Sequence, residues 1–535
     1  YYLSRGYADF TVLSATAELA PDREGFFITF TVDEGEQYTF GTMDVLITAR
    51  GLDQDEFAAL LPDDLEGDTY DASLVEKIAD ELTDQAGQRG FAFVQVRPQA
   101  RKNSEERVIG ITYELVEGSR IFVERIDIEG NTLTLDRVIR REIALVEGDA
   151  FDTRKIRDSR TKVRGLRFFK SVSIEPEQGS ADDRAVVKVK VQEQSTGSLS
   201  LGVGFSSSAG PLGDIKLSER NFLGRGQSVQ AQLTATGDTQ AYDFNFTEPR
   251  FLDRELRVGF RTFYLQDDRT DNSSFKVNSA GFSPQFGFPL AEDLDLGLRY
   301  ELRAEDLNVR STVASPASPA ILVDDGKRLT SSVGYHLTYD MRDDVIEPTG
   351  GYLANFDQQI AGLGGASRFV KSRAIFKTWY GLFDDTVITS LELEAGGLFS
   401  FGNDSRVTER FFLGGESFRG FADEGIGPRD VVVDDSLGGN YFGVARFEVS
   451  FPVGLPEELG VFAGAFIDAG TLFDLDRTSF AGAVINDAAN FRASIGGLLF
   501  LDTPVGPLEL SLGFPLVKES YDDGELFRLS LGTRF

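Results

Sequence analysis

From Gly197 onward, apolar residues fall at every second position in one stretch after another. "SLSLGVGF" sets Leu199, Leu201, Val203 and Phe205 on one face and Ser200, Gly202 and Gly204 on the other. "LDLGLRYELR" sets Leu294, Leu296, Leu298, Tyr300 and Leu302 against Asp295, Gly297, Arg299, Glu301 and Arg303. "PLELSLGF" and "LFRLSLGTRF" repeat the arrangement, the second with Phe527, Leu529, Leu531, Thr533 and Phe535 together. A period of two belongs to strands whose two faces meet different surroundings. Soluble sandwiches alternate too, but their strands run about 5–6 residues. Many runs here reach the roughly 9–11 residues that a tilted strand needs to cross a bilayer. Arg, Glu, Gln and Ser on the second face suit a wet lumen, with lipid outside. About sixteen such segments fit before Phe535, an even number, as in bacterial single-chain barrels. The pattern predicts an antiparallel transmembrane β-barrel over residues 196–535.

The first 195 residues follow another rule, a repeat. "RGYADFTV", "RGFAFVQV" and "RGLRFFKSVSI" each lead into a strand, and "FFITFTVDEGE", "VIGITYELVEG" and "AVVKVKVQEQ" follow as second strands. "TFGTMDVLI" and "FVERIDIEG" then open new copies. Between the strands, "YDASLVEKIADELTDQAG" places Leu74, Ile78 and Leu82 on one helical face, and "TLDRVIRREIAL" does so with Val138, Ile139 and Ile143. The unit is strand–helix–helix–strand–strand. It predicts a truncated copy over 1–36 and complete α+β domains over 37–118 and 119–195, and the chain reads as a fragment that opens in mid-domain.

Composition narrows the function. No run of about 18 apolar residues occurs, so no membrane-spanning helix is expected, which leaves barrel strands open. Phe 45, Tyr 15 and Gly 56 against Trp 1 suit aromatic-decorated strands and tight turns. A net charge of −32 repels nucleic-acid phosphates. With no cysteine and one histidine, disulfides, thiol chemistry and histidine catalysis drop out, and no cofactor or metal is expected. His336 shares the polar face of its strand with Ser332 and Thr338, a lumen position. The acidic stretches "QDDRTDNSS" and "DDSL" lack the spacing of a calcium loop and read as solvated turns. Neither a Gly-x-Ser-x-Gly elbow nor a phosphate-binding loop is present. An enzyme is not expected.

One connection is too long for a hairpin. Between "TVITSLELEAGGLFSF" and "NYFGVARFEVSFPV" lies the segment 402–439, which includes "RFFLGGESFRGFADEGIGPRD". Its glycines and aromatics favour a folded loop over a disordered one. Arg419 tucked into the lumen would need carboxylate partners. Glu448 stands on the polar face of the following strand with Arg446 and Ser450, and Asp468 stands in "FIDAGTLF" one strand further on. Spacing alone leaves an exposed loop arginine equally open.

Several ordered motifs carry a resemblance that spans the chain. They are "IEGNTLTLDRVIRREIALVEGDAF", "VQEQSTGSLSLGVGFSSSAGPLGDIKLSERNFLGRGQ", "TYDMRDDVIEPTGGYLANFD", "FIDAGTLF" and "TPVGPLELSLGFPL" with the terminal phenylalanine. In these the chain resembles the BamA family, the central subunits of the outer-membrane barrel-assembly machinery. Their superfamily joins periplasmic POTRA domains to a sixteen-stranded barrel. Phe418, Arg419, Gly420 and Phe421 resemble the family's Val-Arg-Gly-Phe/Tyr loop motif, with phenylalanine at the first position. The resemblance implies a loop folded back into the lumen, with Arg419 against Glu448 and Asp468. It implies ATP-independent folding and insertion of other barrel proteins at the bacterial outer membrane, with the POTRA domains in the periplasm. The implied partners are unfolded outer-membrane β-barrel proteins, periplasmic chaperones, accessory lipoproteins and outer-membrane lipid. Glu147 matches an acidic position that docks a lipoprotein, although its repeat counterpart Glu66 in "DLEGD" makes a plain turn residue as good a reading. The alternative function is a translocation subunit for autotransporters, or a two-partner secretion pore, of the same superfamily. Strand chemistry supplies a mechanism. A weak seam between the first strand (Leu199, Leu201, Val203, Phe205) and the last (Leu529, Leu531, Phe535) would open and template a client strand. The first strand is short and contains glycine, and the last carries few large residues on its inner face.

Overall fold

The computed structural model describes residues 2–19, 26–49, 51–62, 65–88, 94–117, 121–383, 385–455, 460–503 and 506–531. The chain forms two compact units, residues 1–194 and 195–535.

In the first unit, a hairpin of Thr11–Leu19 and Phe26–Asp33 precedes two copies of one α+β fold. In the first copy Val108–Glu117 is the central strand, parallel to Thr39–Ile47 and antiparallel to Val94–Asn103. Arg184–Glu193 has the same place in the second copy, between Phe122–Glu129 and Phe169–Gln178. Helix Ala72–Gln88 begins where Asp71 accepts a hydrogen bond from Ser73 N at 2.8 Å. Val75, Ile78, Ala79, Leu82 and Ala86 are buried on its inner face, whereas Leu74 lies only half-buried at the margin. In the second copy Val138, Ile139 and Ile143 are buried, but the helix runs only from Asp136 to Arg140. Glu142 N and Ile143 N bond three residues back, and Ala144 N donates to Ser159 Oγ at 2.9 Å instead of continuing the ladder. The longer helix of this copy, Thr153–Gly165, is capped by Asp152.

The second unit is a closed barrel of sixteen antiparallel strands, each paired with its sequence neighbour and the last with the first. Register separates the faces. Phe260, Phe282 and Leu302 follow one another across neighbouring strands on the outside, and Tyr242–Tyr264 and Tyr339–Tyr352 are outward aromatic pairs. With large exposed apolar side chains outside and Arg, Asp, Glu and Gln inside, the wall has the polarity of a barrel in lipid. The inward His336 lies opposite Gly297, where a Cβ would sit 1.8 Å from the imidazole.

At one rim the long connections fold together. Arg429–Asp430, Asp435–Ser436 and Ile485–Asn486 form a small sheet. Phe275, Val277, Leu307, Ile321, Val407, Leu437 and Leu475 pack as an apolar cluster among these connections and the strand ends they join. The acidic turns are engaged: Asp267 pairs with Arg269 at 2.7 Å, Lys276 holds Asp268, and Asp435 accepts from Ser274 Oγ at 2.7 Å. Among the described residues no group of acidic residues and histidine is arranged to hold a metal ion.

Candidate functional site: the inward loop and the barrel seam

The eleventh barrel strand (Val387–Ser400) and the twelfth (Tyr441–Pro452) pair directly, so the chain between them must turn back on itself. Rather than rising into solvent, it enters the lumen. Phe418 and Phe421 are fully buried and meet edge to face at 5.3 Å. They join Leu413, Ile426, Phe442, Val444 and Leu472 in one apolar cluster, which fastens the loop to the wall. Gly420 takes φ +87°, and its approach to the wall is so close that a Cβ on the facing Gly513 would lie 2.6 Å from Gly420 Cα. Both positions therefore exclude side chains. Gly420 O accepts from Glu525 N at 3.1 Å, and Phe421 bridges to Gly524, so the loop also touches the segment leading into the last strand.

Between the two phenylalanines, Arg419 is held on every side. Nη1 donates to Glu448 Oε2 at 2.6 Å. Nη2 and Nε donate to the two oxygens of Asp468 at 2.7 and 2.9 Å, and the backbone N donates to Asp468 Oδ2 at 3.0 Å. The guanidinium lies 3.9 Å from the centre of the buried Phe466 ring, and Ser494 Oγ donates to Arg419 O at 2.5 Å. The Asp468 side chain is fully buried. A bidentate, charge-assisted pair of this kind fixes position and direction together.

A second arginine, Arg446, was placed beside Glu448 by the sequence but given no role. Arg446 Nε and Nη2 donate to Ser417 O at 2.8 and 2.6 Å while Nη1 reaches Glu392 and Glu394 at 2.6 and 2.8 Å. It ties the loop backbone to the eleventh strand. Its signal was present, since it shares an inward face with Glu448.

Among the described residues, the seam has the fewest paired positions of any joint in the barrel. The first strand, Gly197–Ser206, pairs over its whole length with the second, Gly210–Phe222. Among the described residues it meets the last strand, Phe527–Leu531, only at Ser206↔Ser530 and Phe205↔Leu531. Leu199, Leu201 and Val203 are 63–72% exposed, facing outward like Phe205. Leu529 and Leu531 share the outward face of the last strand with Phe527. Phe535 lies outside the described residues. The inner face of the last strand, expected to carry few large residues, holds Arg528.

Glu147 lies in the first unit, at a turn. It accepts from Ile126 N at 3.2 Å, lies 3.7 Å from Arg140 and is about half exposed. Val146 beside it is 65% exposed.

Similarity to known proteins follows the same two units. The Omp85 superfamily domain matches residues 221–535, and a POTRA repeat, described as a surface antigen variable number repeat, matches 49–118 and 121–194. An outer membrane protein assembly factor BamA of Neorickettsia risticii is 30% identical over all of this chain, which spans 71% of that protein. The crystal structure of BamA from Haemophilus ducreyi lacking POTRA domains 1–3 superposes with a TM-score of 0.73 at 23% identity, covering 93% of this chain and all of that one. CdiB from Acinetobacter baumannii shares the fold less closely, with a TM-score of 0.52 at 13% identity over 93% of this chain and 91% of its own.

Proposed function

The chain belongs to the Omp85 superfamily, among its BamA-type assembly factors, and on that premise we propose that it folds and inserts β-barrel proteins into the bacterial outer membrane without ATP. The observation that carries this reading is the contrast between the seam and the other joints. The first strand has ten register partners on one side and, among the described residues, two on the other. An unpaired backbone group in lipid costs several kcal/mol, so a parted first strand offers its edge to any strand able to satisfy it. Its inward residues Ser198, Ser200, Gly202 and Gly204 are small and present little side-chain surface to hold the last strand. A client's terminal strand pairs at this edge, further strands add behind it, and the seam recloses when the client buds off.

The inward loop keeps the strands of Glu448 and Asp468 in register through Arg419. The POTRA repeats stand in the periplasm, receive clients from chaperones and hold them by strand addition at their open sheet edges. Glu147, with the exposed Val146, faces a docked accessory lipoprotein.

Insertion is tested in liposomes with a urea-unfolded barrel client, scoring folding by heat-modifiable gel migration. Ser206→Cys with Ser530→Cys places a disulfide across register partners, a separation that suits the bond. The oxidised protein is expected to insert no client and the reduced protein to recover. Full insertion with the seam locked would exclude lateral opening.

A further inference from the structure

The outward side chains of the seam meet lipid whether the strands are joined or parted, so apolar burial contributes little to closure. Hydrogen bonds decide it, and at the loop-bearing rim two sets of them cross. Ser207 N donates to Leu529 O at 2.9 Å, and Leu529 N donates to Ser207 Oγ at 3.2 Å. Beside them Arg528, its side chain 11% exposed, reaches in three directions. Nη1 donates to Ser208 Oγ at 3.0 Å, in the turn between the first and second strands. Nη2 donates to Asp423 Oδ1 at 3.0 Å, in the same inward loop that carries Arg419. Nη2 and Nε donate to Glu525 Oε2 at 2.5 and 3.0 Å, just ahead of the last strand. The loop is shaped for this joint: at Gly415, with φ +60°, a Cβ would lie 1.7 Å from Asp423 Oδ1 and 3.0 Å from Arg528 Nη2.

We propose that Arg528 is a positioning residue that couples seating of the inward loop to closure of the seam. With the loop seated, the Asp423 carboxylate orients the guanidinium so that Nη1 reaches Ser208, and the last strand is latched to the first hairpin. When the loop withdraws, Glu525 alone still holds Arg528, from its own end of the chain, and the Arg528–Ser208 link across the seam is lost. The seam therefore parts first where the latch is absent, and fully only when the loop lets go. This rests on the seam being the working edge.

The chain has no cysteine, so the Ser206→Cys, Ser530→Cys pair reports closure directly through its rate of copper-catalysed oxidation in liposomes. Arg528→Gln is expected to slow cross-linking about tenfold, the scale of one charge-assisted hydrogen bond. Asp423→Asn should slow it comparably, the double variant no further, and Arg528→Lys should restore part of the rate. An unchanged rate in Arg528→Gln, or fully additive effects of the two changes, would overturn the coupling. Should Arg528→Gln fail the heat-modifiable migration check for folding, Ser208→Ala removes only the acceptor on the first hairpin. Slowed oxidation there supports the latch, and the parental rate refutes it. Client insertion by the reduced parent pair is scored separately. Its absence would sink the insertion reading while leaving the cross-linking result to judge the latch.

Discussion

Arg419 makes four hydrogen bonds to two carboxylates, counting its backbone N, and one of those carboxylates has no access to water. The value of the arrangement lies in its completeness. Removing one partner of a buried pair strands the other and costs about 3–5 kcal/mol. Arg419→Ala is therefore expected to lower the temperature at which the barrel loses its heat-resistant gel mobility, and Asp468→Asn in the same chain should return part of the loss by removing the stranded charge. Equal mobility of Arg419→Ala and parent across the heating series would show that the loop is seated by its phenylalanines alone. The loop motif and the polar faces of the next two strands were readable as candidates from parity. Their meeting came only from the family resemblance, because parity tells which face a side chain is on and not how deep a loop descends.

At the scale of single elements, the second POTRA repeat is held together by a turn. Glu193, at the end of its central strand, accepts from Thr132 N at 3.0 Å, Thr132 Oγ1 at 2.6 Å, Leu133 N at 3.0 Å and Thr134 N at 2.6 Å. Burial pushes its carboxyl pKa up, but these donors outweigh burial and bring it from 4.5 down to about 2. A folded-state pKa below the unfolded one means stability that is present above pH 4.5 and lost as pH falls toward about 2. Glu193→Gln should lower the calorimetric unfolding temperature of this repeat at pH 7, and the gap from the parent should narrow as the buffer is taken to pH 3. A gap independent of pH would assign the loss to packing instead. Element type was legible from period, as the buried Ile78, Leu82, Val138 and Ile139 show. Element length was less so: "TLDRVIRREIAL" has helical spacing throughout, yet the ladder ends at Arg140 because Ser159, on the neighbouring helix, takes the amide of Ala144.

For the molecule as a whole, closure of the barrel sets which backbone groups are protected. Mid-wall strands such as Gly350–Gly365 are paired on both sides. The first strand is paired fully on one side and, among the described residues, at two positions on the other. In lipid nanodiscs, amides of residues 198–204 are expected to exchange with deuterium faster than those of 352–360, as read by peptide-resolved mass spectrometry. Equal protection would mean a seam zipped along its length.

The alternation of apolar and polar residues was enough to determine a barrel in lipid, because a strand between oil and water has one free-energy minimum for each face and the pattern records it locally. The repeats likewise carry their own fold, since the contacts that define each copy lie within it. The joints between distant segments were decided only in three dimensions. Arg528 and Ser208, or Arg419 and Asp468, are ordinary polar residues at correct parity. What makes them partners is the closing of the sheet and the depth of the loop, both of which depend on every strand's register at once.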